Sequence, residues 1–241
     1  MNILGLDTAL QRCSVAILRD GAVAVRIVEE MARGHAERLA PMAASALAAA
    51  GLGVGDLDRV GVVVGPGGFT GVRVGLAFAR GLAIGTDLGV VGVSSLAAIA
   101  ANARLEERPD DLGDGRDGLV APLIDARRGQ VYAALYDAAG AARLAPFVAA
   151  PAAARDILAA AAGAQPVSLI GSGAALVPGP PPAWRLSMEG DPQIDPVVVA
   201  RLAAAAPPDA LRRSGSGPAP LYLRAPDAKP PKPVLLRGGG P

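Results

Sequence analysis

Residues 62–83, VVVGPGGFTGVRVGLAFARGLA, constrain the fold of this chain more than any other stretch. They read as a buried β-branched strand, a four-residue turn and an apolar helix. Gly65-Pro66-Gly67-Gly68 continues neither a ladder nor a helix, because Pro66 lacks an N–H and the glycines accept positive φ. Thr70 is the expected N-cap. Along the helix, Gly71, Gly75, Ala79 and Ala83 form a row at spacing four with almost no side chain, so another backbone can approach closely. Val72, Val74, Leu76, Phe78 and Leu82 occupy the other faces, and only Arg73 and Arg80 are charged. A helix apolar nearly all round is covered on more than one side. One cover is the strand's own sheet. The second has to be another helix, from this chain or from a partner.

The chain has 241 residues, enough for one large domain or two lobes. Its formal net charge is +1, so no global field draws it to nucleic acid or anionic membrane. The single cysteine, Cys13, excludes an internal disulfide and suits a reducing compartment. The opening MNILGLD has no basic region before its apolar run, which argues against a signal peptide. Residues 157–184 are uncharged, but Pro166, Pro178 and the prolines at 180–182 prevent one membrane helix. The expectation is a soluble cytoplasmic protein.

Strands are expected at 2–6, 13–19 and 22–30, the last two joined by the hairpin signal Asp20-Gly21. A helix over 35–50 follows, with Leu39, Met42, Ala43, Ala46 and Leu47 at three/four spacing. Pro41 restricts its start to about Glu37 or Arg38. A strand at 59–64 leads into the pivotal turn. A strand at 90–93 and a helix at 95–105, capped by Ser94 or Ser95, complete a lobe over 1–105. The charged break EERPDDLGDGRDG at 106–118 marks the boundary with a second lobe over 106–213. There, strands are expected at 119–124, 130–136, 143–148, 167–170 and 184–188. Helices are expected at 151–162 and 196–206, and the last is placed to pack back on the first lobe. Residues 214–241 read as an extended Pro-rich tail.

Several chemistries are excluded by what is missing. No lysine precedes Lys229, so Gly65–Gly68 is not a Walker A loop. One histidine cannot make a two-histidine metal site. GVSSL is not a nucleophile elbow. His35 is a base or ligand in one reading and a satisfied polar residue at a helix start in the other, which is favoured. Asp7 either holds a hydrated cation beside a phosphate, with Thr8 following, or caps the turn after its strand. Gly67, Gly68 and Thr70 open a helix N-terminus, an anion site or simply a tight turn. Asp125-Ala126-Arg127-Arg128-Gly129 is a solvated hairpin or a carboxylate- or phosphate-binding pair of arginines. Arg224, Lys229, Lys232 and Arg237 in the tail read as solubilising rather than nucleic-acid-binding.

VVVGPGGFTGVRVGLAFARGLA is similar to the Gly-Pro-Gly-Ser-Phe-Thr-Gly-x-Arg signature of the bacterial TsaB (YeaZ) family. LGLDTALQRCSVAIL, GHAERLAP, GVSSLAAIA, DARRGQVYAALY and PLYLRAPDAKPPK resemble that family in the same order, with 140–215 the least similar region. Gly68 departs from the family's serine and removes a hydroxyl from the loop. The resemblance implies an α/β fold of two ribonuclease H-like lobes, of the actin/Hsp70/sugar-kinase (ASKHA) type. It implies a subunit without catalytic residues or bound metal that binds and activates TsaD in making N6-threonylcarbamoyladenosine in tRNA beside the anticodon. TsaE is implied as a further partner, a homodimer as the state when alone, and ATP with magnesium as a ligand of the complex rather than of this chain. tRNA is then met through the complex. The alternative is an ASKHA-type ATPase or phosphotransferase with its own nucleotide site; a metallopeptidase is disfavoured by the single histidine.

The resemblance also gives the small-residue row a use. Gly71, Gly75, Ala79 and Ala83, with Phe78, and with Leu39, Met42, Ala43 and Ala46 of the preceding helix, are expected to pack in a helical bundle with the partner. On that expectation Gly75→Leu weakens TsaD association without unfolding the monomer.

Overall fold

The computed structural model describes residues 1–84, 86, 88–106, 118–188, 194–212 and 217–224. Residues 107–117 of the charged break and the tail lysines lie outside them. The first lobe opens with β1 (Asn2–Asp7), β2 (Arg12–Arg19) and β3 (Ala22–Glu30), an antiparallel meander turning at Asp20 and Gly21, both at positive φ. Helix α1 (His35–Ala50) leads to β4 (Arg59–Gly65), α2 (Phe69–Ala83) leads to β5 (Gly89–Ser94), and α3 (Ser95–Glu106) closes the unit. β4 lies parallel to β1, and β5 parallel to β4, so the sheet runs β3-β2-β1-β4-β5.

The second lobe repeats this plan. β6 (Leu119–Arg127), β7 (Gln130–Tyr136) and β8 (Ala142–Ala149) are antiparallel. After α4 (Pro151–Ala162), β9 (Val167–Ile170) lies parallel to β6, and β10 (Trp184–Met188) parallel to β9. Its order is β10-β9-β6-β7-β8, the mirror listing of the first sheet. Two such mixed sheets with helical crossovers are the two ribonuclease H-like halves of an ASKHA-type fold.

One continuous core fills the first lobe and runs past α3 to Val120, Ile124, Ala134 and Tyr136 of the second sheet. A smaller core lies under α4, around Leu123, Leu135, Leu158 and Trp184. Helices α1 and α2 cover one face of the first sheet. The other face is covered by α5 (Pro196–Ala205), which follows the second lobe in sequence. Its approach requires glycine: a Cβ on Gly5 would lie 2.2 Å from the Pro196 carbonyl oxygen, and one on Gly61 would lie 2.7 Å from Ala203 Cβ. Asp195 caps α5 by accepting from Val197 N–H, and Arg59 Nη1 donates to the carbonyls of Ala203, Ala204 and Ala206 at its other end.

The restriction drawn from Pro41 and two capping expectations fail, although α1 spans 35–50 as expected. α1 begins at His35, after Gly34 at φ 90°, so Pro41 sits inside the helix on its exposed face, where the carbonyl it leaves unpaired is near water. α2 begins at Phe69 with Gly68 as N-cap, so Thr70 lies within the helix and caps nothing. The hydroxyls of Ser94 and Ser95 are buried without a hydrogen-bond partner and cap no N–H of α3.

Candidate functional site

The first candidate site lies where β1 ends. Asp7 is buried, and its Oδ1 accepts from Ala9 N–H across 2.9 Å, as the turn reading of that residue requires. Burial pushes its carboxyl up to about 7, with the Ala9 N–H and the Arg12 guanidinium pulling the other way. Thr8 is also buried, and its Oγ1 donates to the Gly71 carbonyl at 2.7 Å. The β1–β2 turn therefore sits on the start of α2. Gly68 N–H donates to the Ala9 carbonyl at 2.7 Å, and a Cβ on Gly67 would lie 2.5 Å from that oxygen. The carbonyl occupies the position an anion would take. Gly67 and Gly68 thus form a tight turn closed by the chain itself, the second of the two readings of this loop, and Thr70 lies beyond it in α2.

The small-residue row is covered within the monomer in the same way. A Cβ on Gly71 would lie 1.9 Å from the Thr8 carbonyl oxygen, and one on Gly75 would lie 2.7 Å from Thr8 Oγ1 and 3.3 Å from Val62 Cγ2. Ala79 and Ala83 are buried in the core. The row allows close packing, but against β1, β4 and their turn within this chain. Leu39, Met42, Ala43 and Ala46 are likewise buried, under α1. Of the residues assigned to a partner, only Phe78 keeps part of its surface open.

What the two helices do present outward is different. On α1, Ala40, Pro41, Ala44, Ser45, Ala48 and Ala49 are exposed, and no residue between Arg38 and the end of the helix is charged. On α2, Ala77 and Gly81 are exposed, and Val74, Phe78 and Leu82 form a half-buried apolar row at spacing four. α1 and α2 touch each other, so these residues belong to one two-helix surface. Arg73 is exposed and Arg80 half-buried beside Ala77; beyond Arg38 the rest of the surface is uncharged, the composition of a docking face rather than of a solvated one.

The second candidate site is the cleft between the lobes, a cavity of about 1070 Å³. Its walls come from the Ala9–Gln11 turn, the Gly65–Phe69 loop, the β6–β7 turn and the extended segment 221–224. Leu221 N–H donates to the Val64 carbonyl at 2.8 Å. Arg224 reaches across to the second lobe, with Nε 3.0 Å from Gln130 Oε1 and Nη2 3.0 Å from the Ala126 carbonyl. Arg224 is thus a structural clasp, and the solubilising role expected of it is corrected. Tyr222 and Phe69 stack at 6.2 Å, and the Arg73 guanidinium lies 3.6 Å from the Phe69 centroid. The Leu-Tyr-Leu run in a Pro-rich, basic tail is the sequence signal for this segment; residue type alone does not say what it covers.

The remaining candidates lack partners for chemistry. Cys13 is buried, and desolvation raises its thiol to about 11, which leaves no thiolate near neutrality. His35 opens α1 half-buried, and its Nε2 has no hydrogen-bond partner, so the satisfied-polar reading is not met at that atom. Among the described residues no three His, Cys, Asp or Glu side chains gather as a metal site, and no helix is long and apolar enough to cross a membrane.

Comparison with known proteins gives a consistent answer. Residues 27–175 match the family model described as TsaD, tRNA N6-adenosine threonylcarbamoyltransferase. The chain is 38% identical over 136 residues to the tRNA threonylcarbamoyladenosine biosynthesis protein TsaB of Bacillus subtilis and 40% identical over 136 residues to that of Escherichia coli. Each alignment covers 56% of this chain and 55% of the relative, so the chain spans about half the length of the curated relatives it matches. The solved structure of YeaZ from Pseudomonas aeruginosa superposes over 92% of this chain and 99% of that one, with a TM-score of 0.73 and 31% identity. With the two-lobe fold, the closed turn after β1 and the motifs in their order, these relationships show that the chain belongs to the bacterial TsaB (YeaZ) family.

Proposed function

We propose that this chain is a non-catalytic subunit that binds and activates a TsaD-type transferase in the formation of N6-threonylcarbamoyladenosine in tRNA. The observation that carries the reading is the largely apolar outward surface of α1 and α2, centred on Val74, Phe78 and Leu82 and bordered by Arg73 and Arg80. The names of the B. subtilis and E. coli relatives supply the pathway. The same surface serves a homodimer when the chain is alone, TsaE joins the assembled pair, and ATP with magnesium acts in the complex.

Ala44→Glu and Ala77→Glu test the surface, because both alanines are exposed in the monomer. Each places a charge where a partner would desolvate it, and stability should change by no more than ~0.5 kcal/mol. The expected result is at least roughly tenfold weaker association with the transferase at unchanged Tm, and loss of tRNA modification in a reconstituted assay. Unchanged association in both variants would remove the reading. The alternative, an ATPase or phosphotransferase, requires nucleotide turnover by the purified chain that Asp7→Ala abolishes. The Ala9 carbonyl seated on Gly68 N–H weighs against it.

A further inference from the structure

The mouth of the interlobe cleft carries an arrangement that partner docking does not use. Phe69 and Tyr222 are 61% and 55% exposed, although their rings stack at 6.2 Å and 28° and contribute little to the core. They come from opposite ends of the fold, the start of α2 and the segment after α5, and the clasp of Arg224 on Gln130 holds Tyr222 in place. Arg73 lies over the Phe69 ring at 3.6 Å and donates through Nε to the Tyr222 hydroxyl at 2.9 Å. The pair is therefore a fixed aromatic shelf backed by a guanidinium, not two loose side chains.

Across the opening stands the β6–β7 turn. Arg127 and Arg128 occupy the left-handed region at φ 60° and 54°, followed by Gly129 at φ 71°. Glycine or asparagine would hold such a turn with less strain, so arginine at both positions calls for a reason beyond chain reversal. Both are exposed, and the Arg127 side chain is 79% open despite its 3.2 Å contact with Asp125. Among the residues that line the cleft, four are arginines and Asp125 is the sole acid. A chain with net charge +1 thus concentrates positive charge beside its two exposed aromatic rings.

We propose that this cleft mouth binds an unpaired stretch of RNA, with a base stacked on Phe69 and Tyr222 and the adjoining phosphates on Arg127 and Arg128. Aromatic shelves with flanking cations are how single strands are held without sequence readout. The rim fits a strand better than a free nucleotide, because its cations are spread along an open edge and the enclosed turn at Gly67 and Gly68 is filled by Ala9. The inference deepens the functional reading above, from which it takes RNA as the polymer.

The test is fluorescence anisotropy of a labelled single-stranded RNA oligonucleotide with the full chain, over a range of salt concentrations. Phe69→Ala and Tyr222→Ala should each weaken binding by roughly tenfold, the value of one stacked base. Arg127→Gln should weaken it and lower the salt slope by about one. Unlabelled RNA should compete, whereas AMP and an acidic peptide should not. Absence of binding at low salt, indifference to all three variants, or equal displacement by AMP or the peptide would overturn the proposal. Association of the same variants with the transferase is measured in parallel. Phe69→Ala that loses RNA but keeps the transferase supports this site whatever becomes of the α1–α2 face. Ala77→Glu that keeps the transferase removes the docking reading and leaves the RNA result standing.

Discussion

Asp7 is the residue whose environment is most unusual. Its carboxyl is raised from 3.8 to about 7 chiefly because burial penalises the charge. The folded state therefore binds a proton between about pH 4 and pH 7 that the unfolded state has released, so stability falls as pH rises through that window. The full difference corresponds to ~4 kcal/mol above pH 7, as an order of magnitude. Asp7→Asn keeps an oxygen for the Ala9 N–H and has no charge to bury. Thermal unfolding should show the variant gaining on the parent as pH rises from 5 to 8; parallel profiles would contradict this. The sequence showed that an acid ends the first strand, and both its readings followed from that. It did not show that the following turn folds onto α2, because no local pattern records a contact between Thr8 and Gly71.

At the level of elements, α2 shows what periodicity does and does not specify. The spacing of Gly71, Gly75, Ala79 and Ala83 correctly puts them on one face, and the absence of side chains correctly implies close approach. What approaches, at Gly71 and Gly75, is Thr8 of the chain's own β1–β2 turn, so these two positions are already covered within the monomer. Gly75→Leu, expected from sequence to spare the monomer, instead drives a side chain into Thr8 and Val62. Two alanine substitutions on the same helix separate the effects. Gly71→Ala puts a methyl 1.9 Å from a backbone oxygen and should cost roughly 1–3 kcal/mol or more. Gly81→Ala meets nothing within 4 Å and should gain about 0.5–1 kcal/mol from helix propensity, a rise in Tm of ~1–4 °C. Equal effects in a melting experiment would contradict the packing described. The strands and four of the five helix starts were legible because β-branched runs, helical spacing and turn signals agree; α2 starts earlier than a Thr70 cap implies, because Gly68 leads into it without a side-chain cap.

For the molecule as a whole, the two sheets repeat one topology, and α3 and the segment 217–224 bind the halves together. Arg80 Nη2 holds the Pro218 carbonyl at 2.7 Å before the segment crosses to Gln130. The two-lobe plan was accessible from the motifs, whereas the cleft mouth was not, since Phe69 and Tyr222 lie 153 positions apart in the numbering, the difference between 222 and 69. The seating of α5 has a practical corollary. Gly5 and Gly61 are bare so that a helix made more than 130 residues later, Pro196 against Gly61, can lie flat on them. Residues 1–106 produced as a separate polypeptide should stay unfolded or aggregate, and adding a synthetic peptide spanning 194–212 should restore cooperative melting. During synthesis on the ribosome, the first lobe must then wait, one broad side uncovered, until α5 has emerged more than 130 residues after Gly61.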